Sequence, residues 1–236
     1  MYNQLSIIIT CEHGGNNVPS EYAFLFSSAP GVIETHRGYD PGALEMASLI
    51  TKKSICMFVY ETICRLLIDQ NRSLGNKMLW SEWSNKLSVS QKAYVVDNIY
   101  KPYHHKVTEL IDHDIADKKK VIHFSIHSFT PELDGAVRNN DVGILYDPSR
   151  EMEKDLSEKL SCSIKKKIPG IRVRKNYPYK GTSDGLTKEL RKKYGASYCG
   201  IELELNQKHF LMDTAIWKML SEKLPECIAE LSSGER

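Results

Sequence analysis

Leu5-Ser6-Ile7-Ile8-Ile9-Thr10-Cys11-Glu12-His13-Gly14-Gly15-Asn16-Asn17 decides the fold. Its β-branched centre, Ile7-Ile8-Ile9, has no polar face, the mark of a strand buried on both sides. The run stops at an acid and a histidine and breaks into two glycines, where the backbone can turn sharply and approach a ligand closely. In an open α/β sheet, ligands bind outside the carboxyl ends of the strands, and Glu12 and His13 fall there. Val121-Ile122-His123-Phe124-Ser125-Ile126 repeats the design and ends at His127-Ser128-Phe129-Thr130-Pro131. Two strand-terminal histidines predict that His13 and His127 meet on one metal ion.

Outward from these strands, Asp40 suits a helix N-cap and Pro41 a first helical position, followed by an apolar stripe of Leu44, Met46, Ala47 and Ile50. Residues 56–60 and 65–68 read as short strands, and 75–88, with Trp80 and Trp83, as an irregular excursion without an assignable role. From Ser90 to about Asp117 the pattern is helical, with Pro102 kinking or restarting the helix after Lys101. A strand at 142–146, a helix at 150–167 and a strand at 171–175 come next. The turn-rich Asn176-Tyr177-Pro178-Tyr179-Lys180-Gly181 precedes a helix capped by Ser183 or Asp184. A late strand at 199–205 and a helix at 214–231 close the chain. Alternating strands and helices predict an α/β fold, a mostly parallel mixed sheet with helices on both faces. No repeat or linker interrupts it, so residues 1–236 read as a single domain.

At 236 residues and a formal net charge of +2, the chain can bury a large core and carries no electrostatic footprint for nucleic acid or a membrane surface. Its densest basic stretch, Lys165-Lys166-Lys167 with Arg172, Arg174 and Lys175, reads as a helix end beside a strand. The six cysteines form no CxxC pair and sit mostly in apolar runs, which fits a reducing compartment. With no apolar stretch of membrane-spanning length and no leader pattern at the N-terminus, the expected location is cytoplasmic.

A catalytic zinc takes three protein ligands from histidine and carboxylate side chains, leaving one position open. Asp40 is the first choice to join His13 and His127, with Glu12 the competitor because it adjoins His13; the structural role for Asp40 is the helix cap alone. His36 reads as a partner that supports a ligand from behind rather than as a fourth ligand. His104, His105 and His113 fall on a polar helix, and His123 lies within a strand, so their claims are weaker. Glu202 and Glu204, two apart on a strand, share one face and offer a base to deprotonate water, or else pair with basic side chains. Arg65 and Arg72 flank an apolar run. The planar fork of Arg72, with the Asn71 amide beside it, suits capture of a carboxylate.

Together these residues resemble the N-formylglutamate amidohydrolase family, whose fold is akin to that of zinc carboxypeptidases and aspartoacylase-like deacylases. The resemblance runs through Cys11-Glu12-His13, residues 36–43, Arg65 with Ile68-Asp69-Gln70-Asn71-Arg72, Lys101-Pro102-Tyr103-His104, residues 127–131, Asp141-Val142-Gly143-Ile144-Leu145, residues 176–179 and Glu204-Leu205-Asn206. It implies His13 and His127 as metal histidines, Asn71 and Arg72 as the grip on an α-carboxylate, Arg65 as the group polarising the scissile carbonyl, and Glu204 as general base. The deacylases carry a glutamate ligand three residues after the first histidine, where this chain has Asn16.

The expectation is one Zn2+ per chain and hydrolysis of the N-acyl, most simply N-formyl, amide of an acidic amino acid, with Asn176 and Tyr179 shaping the substrate pocket. The partner is then a small N-acyl amino acid, not nucleic acid or a membrane. The rivals are a related carboxypeptidase or deacylase with another substrate, a binding protein that has lost the metal, and a nucleic-acid binder using the basic stretch.

Overall fold

In the computed structural model, which describes residues 4–233, the opening apolar run is strand β1 (Gln4–Cys11). Ile7, Ile8 and Ile9 are buried on both faces, as their pattern requires. The other strands are β2 (Met57–Tyr60), β3 (Lys119–Phe129), β4 (Glu132–Leu133), β5 (Ala136–Val137), β6 (Val142–Leu145), β7 (Val173–Lys175) and β8 (Tyr198–Asn206). Six of them form one sheet in the order β2-β1-β3-β8-β6-β7. Every neighbouring pair is parallel except β6 with β8, so the sheet is mixed but mostly parallel. β4 and β5 form a separate hairpin.

One face of the sheet is apolar: Ile7, Ile9, Ile122, Phe124, Ile126, Ile201 and Leu203 pack under α1 (Ala43–Lys53), α4 (Glu151–Lys167) and α7 (Ala215–Ser233). The opposite face is covered by α3 (Lys101–Ala116) and α5 (Leu186–Tyr194) through Val107, Ile111, Leu186 and Leu190. Before α3, α2 (Val89–Val95) opens with a capping box between Ser88 and Gln91 and passes through one π-helical turn. That turn ends just before Pro102, which lacks the N–H a continuous helix would need. A short α6 (Gln207–Leu211) follows β8. No helix among the described residues is long and apolar enough to cross a membrane.

Residues 65–68 are not a strand. Leu66, Leu67 and Ile68 satisfy their burial in a satellite cluster with Leu79, Trp83 and Leu87, while the backbone turns. Its N–H groups find loop carbonyls, Arg65 N donating to Gly38 O and Asp69 N to Leu79 O. The excursion around Trp83 therefore has a role, as the backing of the segment that carries Arg65, Asp69, Asn71 and Arg72.

Neither expected side-chain cap forms. Helix α1 starts from Gly42 at φ 83°, and the ring of Phe210 occupies the space a Cβ would need there. Helix α5 starts from Gly185, and the Asp184 carboxylate instead accepts from Ser73 N and Asn76 Nδ2. Both freed carboxylates line the crevice at the strand ends.

Candidate active site

Register builds the site. β3 and β8 run parallel with Ser125 opposite Glu202 and His127 opposite Glu204, and Thr10 of β1 stands opposite Ser125. Alternation puts these side chains on one face at the carboxyl end of the sheet. His13, just past the end of β1, comes up beside His127, and Asp40 enters from the loop before α1.

His13, Asp40 and His127 are each at most 3 % exposed, and one ligand atom from each lies within 4.8 Å of the others. The imidazole centroids are 5.1 Å apart. Both rings turn Nδ1 toward Asp40 Oδ2, His127 at 2.9 Å and His13 at 3.5 Å. His13 Nδ1 is buried without a hydrogen-bond partner. A buried polar nitrogen with nothing to bind is costly unless something occupies the space it faces. Two imidazole nitrogens and one carboxylate oxygen make a donor set suited to zinc, so the residues fit the ion that the sequence implied.

Burial disfavours ionisation of Asp40, yet the Arg65 guanidinium and the two imidazoles hold its carboxyl well below the usual range. His127 is likewise penalised by burial, but its bonds to Asp40 and Glu12 raise it well above an ordinary histidine.

Glu12 is not on the Asp40 side. Its Oε2 lies 3.0 Å from His127 Nε2, the nitrogen on the far side of the ring. His36 is exposed and outside the cluster, against the expectation that it supports a ligand from behind, and Asn16 turns away to donate to Glu34.

Glu204 is 5 % exposed, and its Oε2 has no partner. Burial pushes its carboxyl up to about 8, with the charges of Asp40 and Glu202 adding to the effect and those of His127 and Arg65 opposing it. Glu202, beside it, accepts from Thr187 Oγ1. Both glutamates line a cleft of ≈ 190 Å³ together with His127 and Asp40. That volume is below the range for drug-sized ligands and suits a molecule of amino-acid size. A larger groove of ≈ 700 Å³ runs from Tyr60 to Glu109, but neither imidazole nor Glu204 reaches it.

The cleft's cations are Arg65, Arg72 and Lys180. Arg65 spends Nη1 on Asp40 Oδ1 at 2.8 Å, so it braces the cluster as well as facing the cleft. Arg72 gives Nη1 to the carbonyls of Asn71 and Asp184. Asn71 forms the floor, its Oδ1 accepting from Leu186 N and its Nδ2 3.3 Å from His127 Nε2. Tyr179 lines the outer wall, where Arg138 donates to its hydroxyl. Asn176 does not line the cleft; its Oδ1 accepts from Tyr146 N and Gly181 N and folds the loop instead. In the basic stretch that ends α4 and follows it, Lys167 is engaged with Glu230, Lys175 with Glu158 and Arg172 with Asp141.

Sequence reasoning missed the Tyr103 hydroxyl, Ser125 and Lys180. Ser125 carried a signal, two residues before His127 on the same strand face. Tyr103 lay in a stretch shared with the family, but its reach to Glu12 depends on how α3 packs.

A mostly parallel sheet with acids, imidazoles and guanidinium groups gathered at its strand ends defines an α/β protein with a small-ligand crevice. The profile of the N-formylglutamate amidohydrolase family matches residues 5–211, and the chain belongs to that family, placing it among amidohydrolases. Two solved structures share the fold. The gene product Atu2144 from Agrobacterium tumefaciens is 28% identical, with a TM-score of 0.78 over 96% of this chain and 91% of that one. An N-formylglutamate amidohydrolase from Ralstonia eutropha JMP134 is 18% identical, with a TM-score of 0.77 over 98% and 94%. Among curated proteins none matches the chain.

Proposed function

We propose that the chain hydrolyses the N-acyl amide of an acidic amino acid in a zinc-dependent reaction, with N-formylglutamate the favoured substrate. The observation that carries this reading is Glu204, a buried carboxylate with a free oxygen, opposite His127 and beside a three-donor cluster. His13, Asp40 and His127 would hold the ion, which when bound supplies Lewis-acid stabilisation of negative charge on the carbonyl oxygen.

The chain's own groups do the rest. Glu204 Oε2 takes a proton from the attacking water as its oxygen bonds to the acyl carbon. It then returns that proton to the amide nitrogen, so the C–N bond breaks to a free amine and the acyl group leaves as a carboxylic acid. Arg65 supports the developing oxyanion from the cleft wall, the geometry that makes such electrostatic help effective. Arg72 and the Asn71 floor orient the α-carboxylate, and Lys180 with the Tyr179–Arg138 pair supplies a wall for a second carboxylate. Against the rival of a binding protein that has lost the metal, Asp40 would supply the carboxylate that Asn16 does not.

Glu204→Gln tests the proposal. Zinc content measured by elemental analysis should stay stoichiometric while turnover of N-formylglutamate falls by roughly 10²–10⁴. Full turnover in this variant defeats the base assignment. A screen of formyl-, acetyl- and succinyl-amino acids separates the formyl reading from the wider deacylase one.

A further inference from the structure

Each imidazole of the cluster is held from behind. His13 Nε2 lies 2.7 Å from Asp69 Oδ1, and His127 Nε2 lies 3.0 Å from Glu12 Oε2. Glu12 is fully buried and is itself fixed on both oxygens. The Tyr103 hydroxyl donates to Oε1 at 2.9 Å, and Ser125 Oγ donates to Oε2 at 2.6 Å. A buried carboxylate clamped in this way costs desolvation free energy, and His127 Nε2 stands beyond the clamp to offset it.

The clamp decides a tautomer. Nε2 of His127 faces Ser125 Oγ at 2.8 Å, Glu12 Oε2 at 3.0 Å and the Asn71 amide nitrogen at 3.3 Å. The amide nitrogen is a donor, because Asn71 Oδ1 is already taken by Leu186 N, and would need a lone pair on Nε2. The carboxylate is closer and charged, and it needs a proton there. Ser125 Oγ has already given its own proton to Glu12 and can only accept from Nε2, so a proton on Nε2 serves both groups and leaves Nδ1, on the Asp40 side, as the nitrogen that a cation shared with Asp40 would take.

We propose that Glu12, locked by Tyr103 and Ser125, is a positioning residue that orients His127 and keeps its Nδ1 available to a divalent cation. The assignment rests on the metal reading above, but not on the identity of the substrate. It replaces the sequence-level alternative in which Glu12 is itself the third ligand. Groups behind a ligating histidine set its orientation and basicity, and their loss weakens metal binding by roughly 10–100-fold.

The test is a zinc titration of chelator-stripped protein against a competing chromophoric chelator, with Co2+ spectra taken in parallel. Wild type, Glu12→Gln, Tyr103→Phe and Asp40→Asn are compared. Glu12→Gln should bind zinc roughly 10–100-fold more weakly than wild type, with cobalt bands of unchanged position and intensity. Tyr103→Phe, which leaves the carboxylate in place, should weaken binding in the same direction by less. A purely structural Glu12 would alter melting without changing affinity, and equal zinc affinity in wild type and both clamp variants overturns the assignment. Complete loss of binding in Glu12→Gln alongside retained binding in Asp40→Asn makes Glu12 a ligand and also overturns it. Wild type that takes up no zinc sinks the metal reading itself, a different failure. If Glu12→Gln does not fold, Tyr103→Phe and Ser125→Ala decide the matter by the same affinity comparison.

Discussion

Glu204 stands directly opposite His127 on the β3–β8 ladder, its free Oε2 buried in the same cleft that Asp40 enters. Three acids and an imidazole so close in low dielectric cannot all hold their ordinary charge states. Glu204 absorbs the conflict, with burial foremost in pushing its carboxyl up to about 8 from an ordinary value of 4.5.

This predicts a pH signature in metal-free protein. The folded chain binds the Glu204 proton more tightly than the unfolded chain, so stability falls as pH rises from about 4.5 toward 8. Glu204→Gln removes that loss. Urea denaturation of chelator-treated protein should show the variant gaining on wild type between pH 5 and pH 8, by of the order of a few kcal/mol. A stability difference that is flat across this window would contradict a buried, unpaired carboxylate.

Asp40 carries the opposite sign. Its folded carboxyl is held down, so its contribution is present above the unfolded value near 3.8 and is lost as pH falls below it. Asp40→Asn should purify without stoichiometric zinc and leave the Arg65 guanidinium without its anionic partner. Breaking a buried pair costs about 3–5 kcal/mol, and Arg65 is 24% exposed, so about 2–3 kcal/mol is expected by chemical denaturation. An Asp40→Asn protein that keeps its zinc would move the carboxylate ligand elsewhere.

The parts legible in the sequence were those with a short-range cause. Buried parallel strands advertise themselves by apolar β-branched runs, and residues at their carboxyl ends inherit a place in the crevice; His13, His127 and Glu204 were readable for that reason. Asp40 was readable only as a choice, because a carboxylate before a helix serves equally as a cap. Gly42 frees it from the cap, since its left-handed backbone starts the helix without help. Which side of His127 Glu12 would meet was not readable, since adjacency in sequence says nothing about which ring nitrogen faces which group. Residues 65–68 misled because a four-residue apolar run buries as well in a turn as in a strand, and Trp83 is distant in sequence. Asn176 misled because a turn asparagine serves its own loop as readily as a ligand.

Gly185 offers a steric test of the cleft floor. Its φ of 168° is open to any residue, so a substitution meets a contact and not backbone strain. A Cβ there would stand 2.6 Å from Asn71 Oδ1. Gly185→Ala should push the Asn71 amide off Leu186 N, at a stability cost of about 1–3 kcal/mol. Because that amide underlies the proposed carboxylate grip, KM is expected to rise more than kcat falls. Wild-type kinetics with an unchanged melting temperature would mean that Asn71 does not shape the bound substrate.

Arg191 makes the same point from the other wall. It is 6 % exposed, and its fork donates through Nε to both oxygens of Glu153 at 2.9 and 3.1 Å, through Nη1 to Gly181 O at 2.5 Å, and through Nη2 to Gly200 O at 2.9 Å. One side chain thus ties α4, β8 and the loop that presents Tyr179 and Lys180 to the cleft. A lysine cannot span those directions from a single ammonium, so Arg191→Lys is not conservative here. It keeps a positive charge beside buried Glu153 and so avoids the full penalty of an orphaned carboxylate, but it surrenders at least one carbonyl. The expected cost is about 1–3 kcal/mol for the unsatisfied group. The kinetic effect separates this role from a general loss of stability: a loosened Gly181 frees the outer wall while the cluster of His13, Asp40 and His127 stays as built. Zinc affinity should therefore match wild type while KM for a dicarboxylic substrate rises. A fall in zinc affinity alongside the rise in KM would show that the disturbance had spread through β8 to the site as a whole.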